Sequence, residues 1–194
     1  MTFEQIKAVL STKIVGIAGC GGLGSNCAVA LARVGVGHLV FADFDVIELS
    51  NLNRQYYFYD QVGQPKVTAL SWNIRRINPA VFVESFNLKL QPENIAQIFA
   101  GCDVIVEAFD KAEMKEMLVE TVVSAFPEKP LIVGSGMAGW GRSDLLKVKM
   151  ISENLFVCGD GVSETADDLP PLAPRVGMVA NMQANLVLEI LLGN

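Results

Sequence analysis

The stretch Gly16–Cys27, GIAGCGGLGSNC, decides the fold. Gly19, Gly21 and Gly24 stand in the spacing G-x-G-x-x-G. The first glycine of such a pattern permits a tight turn, the second lets backbone approach a phosphate, and the third lets a helix pack closely on a strand. Immediately before it, KIVGIAG reads as a short buried strand. After it, GLGSNCAVALARVGVG reads as a helix packed through small residues and closed by glycines. That helix offers free N–H groups and its positive dipole end to an anion. One strand later stands Asp43, where an acidic side chain can hold ribose hydroxyls. The pattern predicts a nucleotide site, and the glycines alone leave open whether NAD or another nucleotide fills it.

Outward from this unit, strand and helix alternate. Thr2 and Gln5 form a capping-box pattern before a short helix ending near Leu10. HLVFADFD is the next strand, and a polar connector, VIELSNLNRQYYFYDQVGQ, leads to Pro65 at a helix start. That helix runs to about Asn78, where Pro79 stops it. VFVESFNL, CDVIVEAFD and PLIVGSG are further strands, separated by the helices QPENIAQIFA and Lys111 to about Phe126. Such alternation predicts a parallel sheet covered by helices. LLKVKMI and NLFVCG then flank the turn SEN as an antiparallel hairpin added to the sheet. An acidic, proline-rich loop from Asp160 to Pro174 precedes a last amphipathic helix that Gly193 stops. The expected architecture is one α/β domain over 1–194, a Rossmann-like, mostly parallel sheet flanked by helices. It divides into a short N-terminal helix (1–11), a nucleotide-binding core (12–139), and a C-terminal hairpin, loop and helix (140–194).

Composition narrows the function classes. Of 194 residues, 51% are hydrophobic and 19% charged, so the chain is globular. A net charge of −6 without a Lys/Arg cluster argues against a nucleic-acid surface. The uncharged run Ile14–Ala32 is long enough to cross a bilayer, but its five glycines, Ser25 and Asn26 fit a strand, turn and helix instead, so no membrane association is expected. Cys20, Cys27, Cys102 and Cys158 form no CxxC pair, so no zinc is expected, and reduced thiols in a cytoplasm are.

Residues beyond the glycine turn separate a triphosphate from NAD. SNLNRQ (Ser50 to Gln55) places Asn51, Asn53 and Arg54 in the connector, GQPK starts the next helix with Lys66, and EAFD ends a strand with Asp110. Arg54 and Lys66 suit phosphate oxygens, and Asp110 suits Mg²⁺. Each has a plainer reading: a surface arginine, a first-turn lysine, and an N-cap to the following helix. Asp45 and Glu48 read as solvated or capping carboxylates, the single histidine His38 as structural, and RQYYFY as core or dimer interface.

Together GCGGLGS, DFD-x₅-NLNRQ, VGQPK and RINP resemble the ThiF/MoeB/HesA family, bacterial relatives of ubiquitin-activating enzymes, and APRVGMVANMQANLVLEIL resembles its closing helix. The resemblance is nearest to short ThiF-like proteins of thiamin thiazole assembly. It implies an ATP-dependent adenylyltransferase acting on the C-terminal Gly-Gly of a small ubiquitin-like sulfur carrier, with Mg²⁺ and a homodimer. Carried over by position, Gly22 approaches the phosphates and Asp43 the ribose; Asn51, Arg54 and Lys66 contact the triphosphate; Asp110 binds Mg²⁺. Three departures accompany it. The first helix lacks the arginine that the family brings from an N-terminal extension. Lys111 stands where the family commonly has asparagine, as a substitute cation contacting the nucleotide, and Lys115 where arginine is frequent. The cysteine nearest the last loop is Cys158, read as a small buried hydrophobe. The loop Asp160–Asp168 is expected to close over the carrier tail. The competing readings are an NAD-dependent oxidoreductase, which lacks a Tyr-Lys pair or positioned histidine here, and a non-catalytic nucleotide-binding scaffold.

Overall fold

Strand β1 (Ile14–Ala18) and strand β4 (Val104–Glu107) lie side by side near the middle of a seven-stranded sheet, in a computed structural model that describes residues 1–193. Its order is β3-β2-β1-β4-β5-β7-β6, completed by β2 (His38–Ala42), β3 (Phe82–Phe86), β5 (Leu131–Gly134), β6 (Lys147–Ser152) and β7 (Leu155–Gly159). All pairings are parallel except the expected hairpin, β6 with β7. The chain builds outward from β1 to β2 and β3, then crosses back to β4 on the other side of β1. That reversal opens a crevice at the carboxyl ends of β1 and β4, where open sheets of this type hold ligands.

Alternation along each strand divides the core into two layers. Ile17, Val104 and Val106 face α2 (Gly22–Val34) and α6 (Ala173–Leu192), where Leu23, Leu31 and Val179 are buried. Ala18, Ile105 and Val133 face α4 (Pro92–Phe99) and α5 (Ala112–Ala125), meeting Phe99 and Leu118. Each buried Leu or Phe contributes about 1.5–3 kcal/mol. The predicted capping box opens α1 (Phe3–Leu10): Gln5 N–H donates to Thr2 Oγ1 and Thr2 N–H to Gln5 Oε1. The helix α3 spans Lys66–Ile77, with Pro65 one position earlier than expected, at its N-cap. Gly193 ends α6. No helix of the described residues is long and apolar enough to cross a membrane.

Strand ends differ from the sequence reading, most consequentially at β4. It stops at Glu107 rather than Asp110. The Ala108 N–H still donates to Ala18 O at 2.9 Å, but the next N–H, that of Phe109, is taken by the Glu107 carboxylate at 2.6 Å. The chain then leaves the sheet, and Asp110 lies in the connecting loop.

Candidate active site

The glycine turn is shaped by two close approaches. Gly19 has φ +98°, a left-handed backbone that side chains disfavour, and its N–H donates to Ala42 O at 2.9 Å. A Cβ on Gly24 would collide with the Gly19 carbonyl, so only glycine lets α2 sit this close to the turn. Gly21 is the N-cap and supplies no side-chain cap, and Gly22 starts the helix, leaving first-turn amides directed at the crevice. Asp43 fastens this turn to β2: one carboxylate oxygen accepts from Cys20 N–H at 2.6 Å and the other from Asp45 N–H at 2.8 Å. Burial pushes the Asp43 carboxyl up, opposed by Lys66 and by those two amides.

The connector after β2 brings Arg54 and Lys66 to the same turn. Glu48 and Asn51 cap the 3₁₀ turn Leu49–Asn53, with Glu48 N–H donating to Asn51 Oδ1 at 3.1 Å. Arg54 lays its methylenes against Gly22, 3.5 Å from where a Cβ would stand. Its guanidinium donates to Asn53 Oδ1 at 2.7 Å and Ser50 O at 3.3 Å, and no carboxylate of the described residues pairs with it. The buried Tyr57 hydroxyl lies 2.7 Å from Cys20 O and 3.4 Å from Lys66 O, tying the glycine turn to the start of α3. Lys66 is only 6% exposed, which removes its reading as an ordinary first-turn lysine. Its Nζ lies 2.7 Å from Asp45 Oδ2, so Asp45 is the partner of Lys66 rather than a merely solvated or capping acid. Glu48 does cap.

The loop from β4 to α5 closes the crevice from the other side. Ala108 O and the Phe109 ring pack on Gly19. Asp110 is exposed, forms no hydrogen bond with the described residues, and does not cap α5; Lys111 holds the N-cap position and is also exposed. Beneath this loop lies a cluster that sequence reasoning missed. Glu107, fully buried, accepts from Lys115 Nζ with both oxygens (2.8 and 2.9 Å) and from Phe109 and Gly134 N–H. The signals were an acid closing the otherwise apolar strand VIVE and, at Lys115, a cation standing where the family frequently has arginine. Gln55 was also missed: buried beside Gly21, its Oε1 has no partner.

The last loop is pinned at its entrance. Asp160 pairs with Arg175 at 2.6 Å, both side chains nearly fully covered, and accepts from Val162 and Ser163 N–H at 2.8 Å. Burial works against the charge, but those hydrogen bonds outweigh it and hold the Asp160 carboxyl at about 2. Asp160 is therefore an anchor and not part of a closing flap; the acids beyond it, Glu164, Asp167 and Asp168, are exposed. Cys158 is buried in the core, as expected of a small hydrophobe, and burial pushes its thiol up to about 12. His38 stays at the start of β2, against Glu84 and the Phe82 ring.

These groups fit a triphosphate with a divalent cation. The turn leaves first-turn amides without a side-chain cap, two cations stand around it, and the exposed Asp110 carboxylate is a hard oxygen donor of the kind Mg²⁺ takes. A family model, that of the ThiF family, matches residues 3–194. The chain belongs to the ThiF family. Among curated relatives of this ThiF-family domain, the SAMP-activating enzyme E1 of Haloferax volcanii is 39% identical over 128 residues, 66% of this chain and 46% of that protein. The molybdopterin-synthase adenylyltransferase of Haemophilus influenzae is 31% identical over 194 residues, 93% of this chain and 74% of that one. Neither name mentions thiamin. The structure of Escherichia coli tRNA N6-threonylcarbamoyladenosine dehydratase, TcdA, in complex with ATP shares the fold with a TM-score of 0.87, over 98% of this chain and 90% of that one, at 21% identity.

Proposed function

We propose that this chain is an ATP-dependent adenylyltransferase that activates the C-terminal Gly-Gly carboxylate of a small ubiquitin-like sulfur carrier. The observation that carries the reading is the convergence on one glycine turn of Arg54, the buried Lys66 and the β4–α5 loop. The names of the relatives and the ATP complex of a structural neighbour support it.

In this reading the α2 amides, with Gly19, Gly21, Gly22 and Gly24 keeping the backbone bare, receive the phosphates, and Asp43 and Asn51 orient the ribose and triphosphate. Arg54 and Lys66 neutralise the charge that gathers on departing pyrophosphate while the carrier carboxylate attacks the α-phosphate. When Mg²⁺ is bound, it supplies further neutralisation of phosphate oxygens, and Asp110 is the residue to hold it. Lys111, exposed one residue on, reaches over the nucleotide as the cation replacing the family's arginine. No protein nucleophile is needed. The working unit is a homodimer. The sequence resemblance favours a thiamin-thiazole carrier, whereas the relatives' names favour a molybdopterin or SAMP carrier, and the choice falls to direct assay.

Calorimetric titration with ATP·Mg²⁺, NAD and NADH, followed by ATP–pyrophosphate exchange with each carrier, tests the reading. The expected result is saturable ATP binding, weakened in Asp110→Ala, no dinucleotide binding, and exchange with one carrier only. Tight NAD binding indifferent to Asp110 would install the redox reading. ATP binding with no exchange for any carrier would identify a scaffold.

A further inference from the structure

We infer that Glu107 and Lys115 act as a positioning pair for the Asp110 loop, setting where the divalent cation of the bound nucleotide can be held; the inference rests on the adenylation reading above. Glu107 is fully buried at the end of β4, and Lys115 lies in the first turns of α5.

What the pair joins makes the case. Lys115 Nζ donates to both Glu107 oxygens and, at 2.8 Å, to Gly134 O at the end of β5. Gly134 returns a 3.3 Å hydrogen bond from its N–H to Glu107 Oε2. From α6, Gln183 Nε2 donates to the Glu107 carbonyl at 2.9 Å. One buried residue thus fixes β4, β5, α5 and α6 at a single point. From that point the chain runs three residues to Asp110. The first of them, Ala108, is held to β1, and the second, Phe109, is bonded to Glu107 itself and packs on Gly19. Asp110 makes no hydrogen bond of its own with the described residues, so its position is inherited from Phe109 on one side and from α5 on the other. Glu107 and Lys115 control both supports.

A simpler role would be stability alone. A hydrophobic pair of similar volume serves stability as well as a buried ion pair, and often better. An ion pair whose two members stand at the two ends of one loop, Glu107 before it and Lys115 after it, and are both bonded to Gly134 of the neighbouring strand, fixes a geometry instead. Outer partners of metal-binding groups characteristically act this way, and their loss costs roughly 10–100-fold in metal affinity or activity.

The test compares wild type with Lys115→Met, Lys115→Arg and Glu107→Gln. ATP affinity is measured calorimetrically in excess Mg²⁺ and again in EDTA, with thermal unfolding recorded for each protein. In Lys115→Met, affinity in EDTA should stay within about twofold of wild type, because the glycine turn is untouched. The gain in affinity on adding Mg²⁺ should fall by roughly tenfold, and Lys115→Arg should restore most of it. Glu107→Gln, nearly isosteric, should repeat the loss and serves where Lys115→Met does not fold. A folded variant that keeps the full Mg²⁺ gain overturns the inference, as does one that loses ATP equally with and without Mg²⁺. Wild type that binds no ATP at all overturns the adenylation reading first, and this assignment with it.

Discussion

Two lysine–carboxylate pairs flank the crevice, and they are built in opposite senses. In Lys66–Asp45 the lysine is buried and the carboxylate side chain is 49% exposed. In Lys115–Glu107 the carboxylate is fully buried and the lysine side chain is 21% exposed. The same two charges at nearly the same distance therefore do different work. Water already solvates Asp45, so under the proposed function Lys66 exchanges it for a phosphate oxygen at small cost. Glu107 has no solvent to turn to, and its pair is a fixture. Burial pushes the Glu107 carboxyl up, and Lys115 with the amides of Phe109 and Gly134 opposes that shift. Position relative to water, more than chemistry, separates a charge whose partner can be exchanged from one whose partner is fixed.

The comparison breaks most visibly at Glu107. Glu107→Ala leaves a lysine and two backbone amides without their acceptor and should lower unfolding free energy by about 3–5 kcal/mol, read by urea denaturation. A loss below 1 kcal/mol would mean that Glu107 is no fixture. Lys66→Met keeps the buried stem and frees an acid that water can hold. Stability should then change little, while ATP affinity falls by roughly ten- to a hundredfold, as expected for a lost charged hydrogen bond. Equal damage to folding and binding would place Lys66 with Lys115. Asp45→Asn is the smallest change: below about 1 kcal/mol in stability, with ATP binding unchanged or slightly tighter. A marked drop in ATP affinity there would show that Asp45 orients Lys66 and does not merely share it.

Apolar periodicity made the elements legible. IVGIA, HLVFA and LIVG could hardly be anything but buried strands, and Gly19 to Gly24 fixed the turn between strand and helix. Asp43, Lys66 and the Asp110 loop were legible as candidates for one site because each falls at the carboxyl end of a predicted strand or the start of a helix; Arg54, inside the connector, was legible only through the SNLNRQ motif. The pairings were not legible. Asp45 meets Lys66 across a connector of irregular turns, and Asp160 meets Arg175 across the last loop. Periodicity reports which residues leave water and is silent on which polar groups leave it together. Arg175 did carry a signal, a cation in the first turn of α6 where the helix dipole opposes it. Its compensation by Asp160 and the carbonyls of Gly141 and Arg142 needed the folded chain.

The sheet also has a boundary to guard. Strand β6 forms one of its two edges, and all six of its residues are exposed, including Val148, Met150 and Ile151. An open row of amides and carbonyls beside such side chains is a template on which further chains can polymerise. Lys147 and Lys149 alternate with the apolar residues, and the pairing with β7 slips between Met150 and Ser152. Charge and irregularity together make that border a poorer seed for fibre growth than its apolar side chains alone would make it.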